Sequence, residues 1–293
     1  MGYLEQRANL DGKVAAVVGG GQGIGAAVTT ALAAAGVDVA LCDVDADAAE
    51  RTRRAVEQLG RRVTAQVADA LDPEQLADFF ATIDRDFDRL DILVNIVGGA
   101  RRKLFTETTP DDWAEQIHRN FGWAIQSTSL AVPRLRAGGR GGSIISFTTI
   151  EAHRGAASYA VYAGAKAGLT NFSRSLAVEL AAEGIRVNTI ASDATPSARI
   201  TAMLEEQERR APETMSPELR AKALAIYVPA GAPPSVDDLA DVVLFLASDL
   251  ARSVTGTTVH ADGGTWAASG FLRWPGHRGW GPSPPADLFR DDA

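Results

Sequence analysis

Tyr162 and Lys166 stand four residues apart within Ser158–Glu183, where Leu169, Phe172, Leu176 and Leu180 recur at helical spacing. The two side chains therefore share one helix face, a turn apart. An ammonium beside a phenol favours the phenolate and brings a poor general base toward the neutral range. Tyr159 lacks such a partner, because position 163 is Ala. A Tyr-x-x-x-Lys pair by itself is mostly an exposed helix face, so its weight rests on combination with other signals. One such signal is Gly19-Gly20-Gly21-Gln22-Gly23-Ile24-Gly25, between the apolar run Val14–Val18 and an Ala-rich helical stretch. Strand, glycine turn and helix together let backbone amides approach a pyrophosphate, with the positive end of the helix dipole behind them. Its spacing is Gly-x-x-x-Gly-x-Gly, not Gly-x-Gly-x-x-Gly. Asp43 ends the second apolar run, 18 residues after Gly25. A carboxylate there accepts hydrogen bonds from both adenosine ribose hydroxyls and repels a 2′-phosphate, so NAD is expected over NADP. Asp45 is the better candidate for capping the helix that follows. Asp69, after the third strand, is placed to meet the adenine amine.

These residues need a scaffold, and its rhythm is visible along the chain. Runs expected as strands are Val14–Val18, Asp38–Cys42, Val63–Val67, Ile92–Asn95, Ser143–Phe147, Arg186–Ile190 and Thr257–His260. Between them lie helical segments near Gly23–Ala35, Ala46–Leu59, Pro73–Phe87, Pro110–Ala137, Ser158–Glu183 and Val236–Ser248. The strands are apolar nearly throughout, as in a parallel sheet covered on both faces. The expected architecture is a single Rossmann-type doubly wound α/β domain with a seven-stranded parallel sheet. It spans residues 1–265, with a Pro-interrupted substrate lid over 192–234 and an aromatic, Gly- and Pro-containing tail over 266–293. The tail either closes an active site, its own or a neighbour's, or merely covers surface.

With 293 residues, 46% hydrophobic and 23% charged, the chain carries too much apolar content for disorder. Its 29 Lys and Arg against 37 Asp and Glu give a net charge of −8, which argues against a generic grip on nucleic acid or an anionic membrane. The one cysteine, Cys42, forms no internal disulfide, and no Cys/His group has metal-site spacing. Neither a secretory leader nor an apolar run of membrane-spanning length is found, and a cytoplasmic location is expected.

In order and spacing, the glycine turn, Asp43, Asp69, Leu93-Val94-Asn95, Asn120, Tyr162-x-x-x-Lys166, Ile185-Arg186-Val187-Asn188 and the closing Val254-Thr255-Gly256 and Asp262-Gly263-Gly264 resemble the short-chain dehydrogenase/reductase family across about residues 9–265. The resemblance implies that Tyr162 is the catalytic acid/base, that Lys166 lowers its pKa and binds the nicotinamide ribose, and that Asn120 holds a water linking Lys166 to solvent. It implies that Thr149, where the family usually has Ser, polarises the substrate carbonyl. A threonine hydroxyl can donate the same bond, although its methyl crowds the substrate carbon; the alternative is a strand-end residue in an impaired enzyme. By the same resemblance NAD is held by Gly19, Gly21, Gln22, Gly23, Ile24, Asp43, Asp69, Ala70, Asn95, Val97, Gly98, Tyr162, Lys166, Thr195 and Ser197. A homodimer or homotetramer through the helices near Pro110–Ala137 and Ser158–Glu183 is also implied.

Departures from the family pattern are Val18, Ile96-Val97 and Ser192-Asp193. Asp193 beside the nicotinamide would favour the oxidised, positively charged ring and hence alcohol oxidation. Arg101-Arg102-Lys103 either overhangs the substrate entrance, favouring a carboxylate or a phosphate of CoA, or is a solvated run. Glu151 and His153 are candidate pocket residues, and His118 is assigned to structure. The apolar lid residues Ile200, Met203, Leu204, Leu224 and Ile226 suggest a lipophilic or alicyclic substrate, steroid-like or an acyl thioester. The leading expectation is an NAD(H)-dependent oxidoreductase interconverting a secondary alcohol and a ketone. A 3-oxoacyl-thioester reductase is the alternative within that class, and a non-catalytic dinucleotide-binding regulatory subunit is the alternative outside it.

Overall fold

The computed structural model describes residues 2–193, 195–196, 216–274 and 280–283. Seven parallel strands form one sheet: β1 (Val14–Val18), β2 (Asp38–Asp43), β3 (Val63–Val67), β4 (Ile92–Asn95), β5 (Gly142–Thr149), β6 (Ile185–Ser192) and β7 (Thr258–Ala261), in the order β3-β2-β1-β4-β5-β6-β7. Helices α1 (Tyr3–Ala8), α2 (Gly23–Ala34), α3 (Ala46–Gln58), α4 (Pro73–Asp86), α5 (Pro110–Ile117), α6 (Trp123–Ala137) and α7 (Ala160–Leu180) precede β6, and α8 (Pro217–Tyr227), α9 (Val236–Ala247) and α10 (Thr265–Ala268) follow it.

The strand alternation explains the two cores. Val14, Ala16 and Val18 face a layer containing Phe79, Phe80, Trp123 and Leu135, whereas Ala15 and Val17 face one containing Val28, Leu32, Leu239 and Val243. All five β1 residues are 0% exposed, which is why the strand reads as unbroken apolar sequence. Burial of each large side chain in these layers stabilises the fold by about 1.5–3 kcal/mol. Helix starts are set locally. Asp45 accepts from the Ala48 amide, Asp72 caps α4 ahead of Pro73, and Thr109 with Asp112 forms a capping box at α5.

Several boundaries differ from the sequence expectation. The segment Pro110–Ala137 is interrupted by a π-helical turn, His118–Gly122, so it is two helices joined by a wide turn. Strands β5 and β6 run on to Thr149 and Ser192, paired with each other to the end, which carries Thr149 to the rim of the sheet. Within the expected lid, Pro217–Tyr227 is helical and Val228 is buried. Ile200, Met203 and Leu204 lie outside the described residues. The expected aperiodic tail begins inside α10, where Trp266 stacks on His260 at 4.1 Å, and a bridge pairs Leu272 with Gly281.

The strand order reverses beside β1, between β2 and β4. A crevice must open there at the carboxyl ends of the strands. Gly25 shows how tightly its turn is made, since a Cβ at that position would lie 1.8 Å from the Gly19 carbonyl oxygen.

Candidate active site

At that crevice lies a cleft of about 1320 Å³, lined by Gly19, Gln22, Gly23, Ile24, Asp43, Asp69, Ala70, Val97, Gly98 and Thr195. Cys42, Leu71, Ile96 and Arg119, none foreseen from sequence, complete much of the wall. The glycine turn is pinned from behind. Gly19 and Gly20 amides donate to the Cys42 carbonyl, the Thr29 hydroxyl to Gly20 O, and the Thr52 hydroxyl to Gly21 O. Helix α2 has no side-chain cap at its N-terminus and no acid in its first turn. Its leading amides are thus available to an anion. Asp43 is buried, and its carboxylate accepts from Gly21 N (3.0 Å), Gln22 Nε2 (3.3 Å) and Asp45 N (3.1 Å). A carboxylate has roughly four acceptor positions, so one remains for a ribose hydroxyl, and a second opens if Gln22, the longest of the three contacts at 3.3 Å, turns away. An uncapped helix start, a glycine cradle and an acid at the second strand fit a nicotinamide dinucleotide.

Four predicted contacts, Gly21, Asn95, Tyr162 and Lys166, are not among the residues lining that cleft, and Tyr162 lines a separate hollow. Gly21 lies behind the cleft wall against Asp43. Asn95 is buried, accepting from Ser127 (2.7 Å) and donating to Thr128 and Ser146, so it ties β4 to α6 and β5. Ser197 lies outside the described residues.

Asn120 sits in the π-helical turn, fully buried, with its Oδ1 accepting from Gly99 N and its Nδ2 donating to Gly99 O and Gln116 O. A wide turn of this kind re-aims one side chain without ending the helix, and here it brings Asn120 to the end of β4. Lys166 is buried and donates from Nζ to the Phe147 carbonyl at 2.8 Å. A Cβ at Gly98 would lie 3.0 Å from both Asn120 Oδ1 and Lys166 Nζ, so glycine keeps the space between them open.

The Thr149 hydroxyl is near enough to the Tyr162 phenol to act on it, favouring the phenolate. Burial pushes the Tyr162 phenol up to about 12, and the charges of Glu151 and Asp193 and neighbouring Tyr159 push the same way. Burial also draws Lys166 down to about 8. In the protein alone the Lys166 ammonium is directed at Phe147 O, and desolvation is the largest influence on the Tyr162 phenol.

The substrate side holds a polar chain that sequence reading did not assemble. Thr149 Oγ1 donates to the Glu151 carboxylate, which accepts from Arg154 (2.9 Å). Arg154 also donates to Tyr227 Oη (2.6 Å), and its guanidinium lies 5.7 Å from that ring's centre. Asp193 acts on both Tyr162 and Tyr227. Thr149, Glu151 and Asp193 of this chain are expected at the site from sequence, whereas Arg154 and Tyr227 are not; Tyr227 is brought in by α8 from 73 positions away. His153 turns instead toward His260 (4.7 Å) and Trp266 (6.3 Å). Arg101 and Lys103 line a hollow that reaches Tyr159 and Tyr162. Their charge is largely matched, Arg101 by Asp112 and Glu115, and Lys103 by Asp112 at 2.7 Å, which holds that carboxyl down at about 2. His118 contacts Leu71 O at 2.8 Å.

Among the described residues no group of three or more His, Cys, Asp or Glu is arranged to hold a metal ion, and no helix is long and apolar enough to cross a membrane.

With this geometry in hand, a family model described as enoyl-(acyl carrier protein) reductase matches residues 18–265. The 3-oxoacyl-[acyl-carrier-protein] reductase FabG of Escherichia coli (strain K12) is 34% identical over 259 residues, covering 88% of this chain and 99% of that protein. Among solved structures, a 7α-hydroxysteroid dehydrogenase complexed with NADH and 7-oxo glycochenodeoxycholic acid superposes with a TM-score of 0.80 at 28% identity, over 90% of this chain and 98% of that one. A short chain dehydrogenase from Mycobacterium paratuberculosis bound to NAD gives a TM-score of 0.76 at 27% identity, over 88% and 99% of the two chains.

Proposed function

The chain belongs to the short-chain dehydrogenase/reductase family of oxidoreductases, and from that premise we propose that it is an NAD(H)-dependent enzyme interconverting a secondary alcohol and a ketone, with Tyr162 as general acid/base. The observation that carries this reading is the convergence of Thr149, Tyr162, Lys166 and Asn120 next to a cleft whose second-strand acid is Asp43. A bound nicotinamide dinucleotide supplies the hydride acceptor or donor. The first turn of α2 and the glycine turn would hold its pyrophosphate, and Asp43 its adenosine ribose. Tyr162 Oη takes the hydroxyl proton in oxidation and returns it in reduction. Buried Lys166, drawn down to about 8, and Asn120 stand at the end of β4 to pass that proton onward. Exposed Ile117, Ile125 and Val178 on the helices flanking that region support a contact between copies of the chain.

The pairing of Thr149 with Glu151 favours the oxidative direction. A hydroxyl has one proton. While the Glu151 carboxylate accepts it, Thr149 Oγ1 offers a lone pair, which complements a substrate hydroxyl and opposes a substrate carbonyl. Glu151→Gln frees that proton, because the new amide can donate to Thr149. The variant is expected to raise ketone reduction relative to alcohol oxidation. Removing a negative charge that raises the Tyr162 pKa also moves the alkaline pH profile of oxidation to lower pH, by about half a unit or more. Initial rates in both directions across pH test this, and an unmoved profile with an unmoved rate ratio would refute it.

A 3-oxoacyl-thioester reductase is the second reading, favoured by the FabG similarity. A panel of secondary alcohols, hydroxysteroids and hydroxyacyl-CoA thioesters, followed by NADH and NADPH absorbance, separates the two. Turnover of lipophilic or alicyclic alcohols with NAD supports the first; turnover confined to thioesters with NADP supports the second.

A further inference from the structure

At the opposite end of the sheet, where β1, β5 and β6 begin, lies a second cleft of about 790 Å³ that shares no lining residue with the cofactor cleft. Lys13, Arg89, Arg140, Arg186 and Arg252 line it, in a chain whose overall charge is −8. Two carboxylates, Asp91 and Asp249, lie among them, and both are already engaged. Asp91 pairs with Arg89 and accepts from Val14 N (2.9 Å), and Asp249 takes Lys13 (3.1 Å) and Asn9 (2.8 Å).

Three guanidinium groups remain. The Arg140 and Arg252 side chains are exposed and make no hydrogen bond or ion pair among the described residues. Arg186 donates from Nη2 to Ser248 O (3.2 Å), and the charge of Asp249 acts on its guanidinium. The backbone holds these arginines in place. Gly141 and Gly184 both have positive φ, and a Cβ on Gly141 would lie 2.4 Å from Gly184 O, so the loops bearing Arg140 and Arg186 are pressed together in a way only glycine permits.

Guanidinium forks match phosphate oxygens in geometry and charge. We propose that it binds a small phosphorylated compound carrying at least two negative charges, at a site separate from the cofactor cleft. Isothermal titration with inorganic pyrophosphate tests this, on the wild-type protein and on the double variant Arg140→Gln/Arg252→Gln. Both side chains are exposed and without partners, so the variant should melt at the wild-type temperature. The wild type is expected to bind, and the double variant to bind at least about tenfold more weakly. Absence of binding to the wild type would overturn the proposal. So would equal affinity in the double variant, which would place the anion on the Gly19–Gly25 turn instead.

Discussion

Replacing Tyr162 with Phe is expected to lower turnover by about 10³- to 10⁴-fold while leaving NAD affinity essentially unchanged. The substitution deletes one oxygen and keeps the ring, so packing against Tyr159, 6.1 Å away between ring centres, survives. What disappears is the phenol oxygen on which Thr149 and the charges of Glu151 and Asp193 act. General acid–base catalysis by a positioned group contributes about 10²- to 10⁴-fold. The upper part of that range applies because no second phenol is placed to substitute: Tyr159 precedes α7 and lacks the contact to Thr149. Titration of NAD against both proteins, beside initial rates on a turned-over alcohol, reads the two effects apart. Retained turnover would remove Tyr162 from the proton step. A wild-type protein that binds NAD but turns over nothing in the panel would instead favour the regulatory-subunit reading.

Asp43→Ser is expected to shift the ratio of kcat/KM for NAD over NADP toward NADP by on the order of a hundredfold. Like charges brought together cost several kcal/mol, and about 1.4 kcal/mol corresponds to each factor of ten. Asp43 is buried beside the glycine turn, with its carboxylate on the Gly21 amide at 3.0 Å. A serine oxygen can still accept from that amide, so the turn should keep its shape while the negative charge is lost. The effect therefore reports charge more than distortion. Steady-state kinetics with both coenzymes measures it, and an unchanged preference would show that Asp43 does not select the cofactor.

Much of this frame could be read from local pattern. The unbroken apolar run of β1 that feeds two cores, the capping acid Asp45, and the seven strands follow from near neighbours in sequence, because burial on both faces and helix capping are short-range demands. Lys166 sits one helical turn from Tyr162 for the same reason. The π-helical turn at Asn120 is not legible in His118-Arg119-Asn120-Phe121-Gly122, since its single local signal, Gly122, is equally compatible with a continuous helix. Its cause lies in the Gly99 and Gln116 groups that satisfy Asn120.

The surroundings of Lys166 have the same origin. Spacing placed an ammonium near a phenol, but which acceptor that ammonium meets depends on where β5 ends, and Phe147 O is the acceptor it finds. Likewise the adjacent cations Arg101 and Lys103 were visible as a run, while Asp112, which matches both, arrives from the start of α5.

By itself, then, the sequence determined the doubly wound scaffold, the glycine turn with its acid, and the Tyr162–Lys166 pair, because each is specified by residues within a few turns of one another. Only the tertiary structure decided the direction of the Thr149 proton, the engagement of Arg154 by Tyr227, and the gathering of Arg140, Arg186 and Arg252 at the far end of the sheet. A hydrogen bond or an uncompensated charge is a property of distance in space, and these partners are brought together by strand order and helix packing across long separations in the chain.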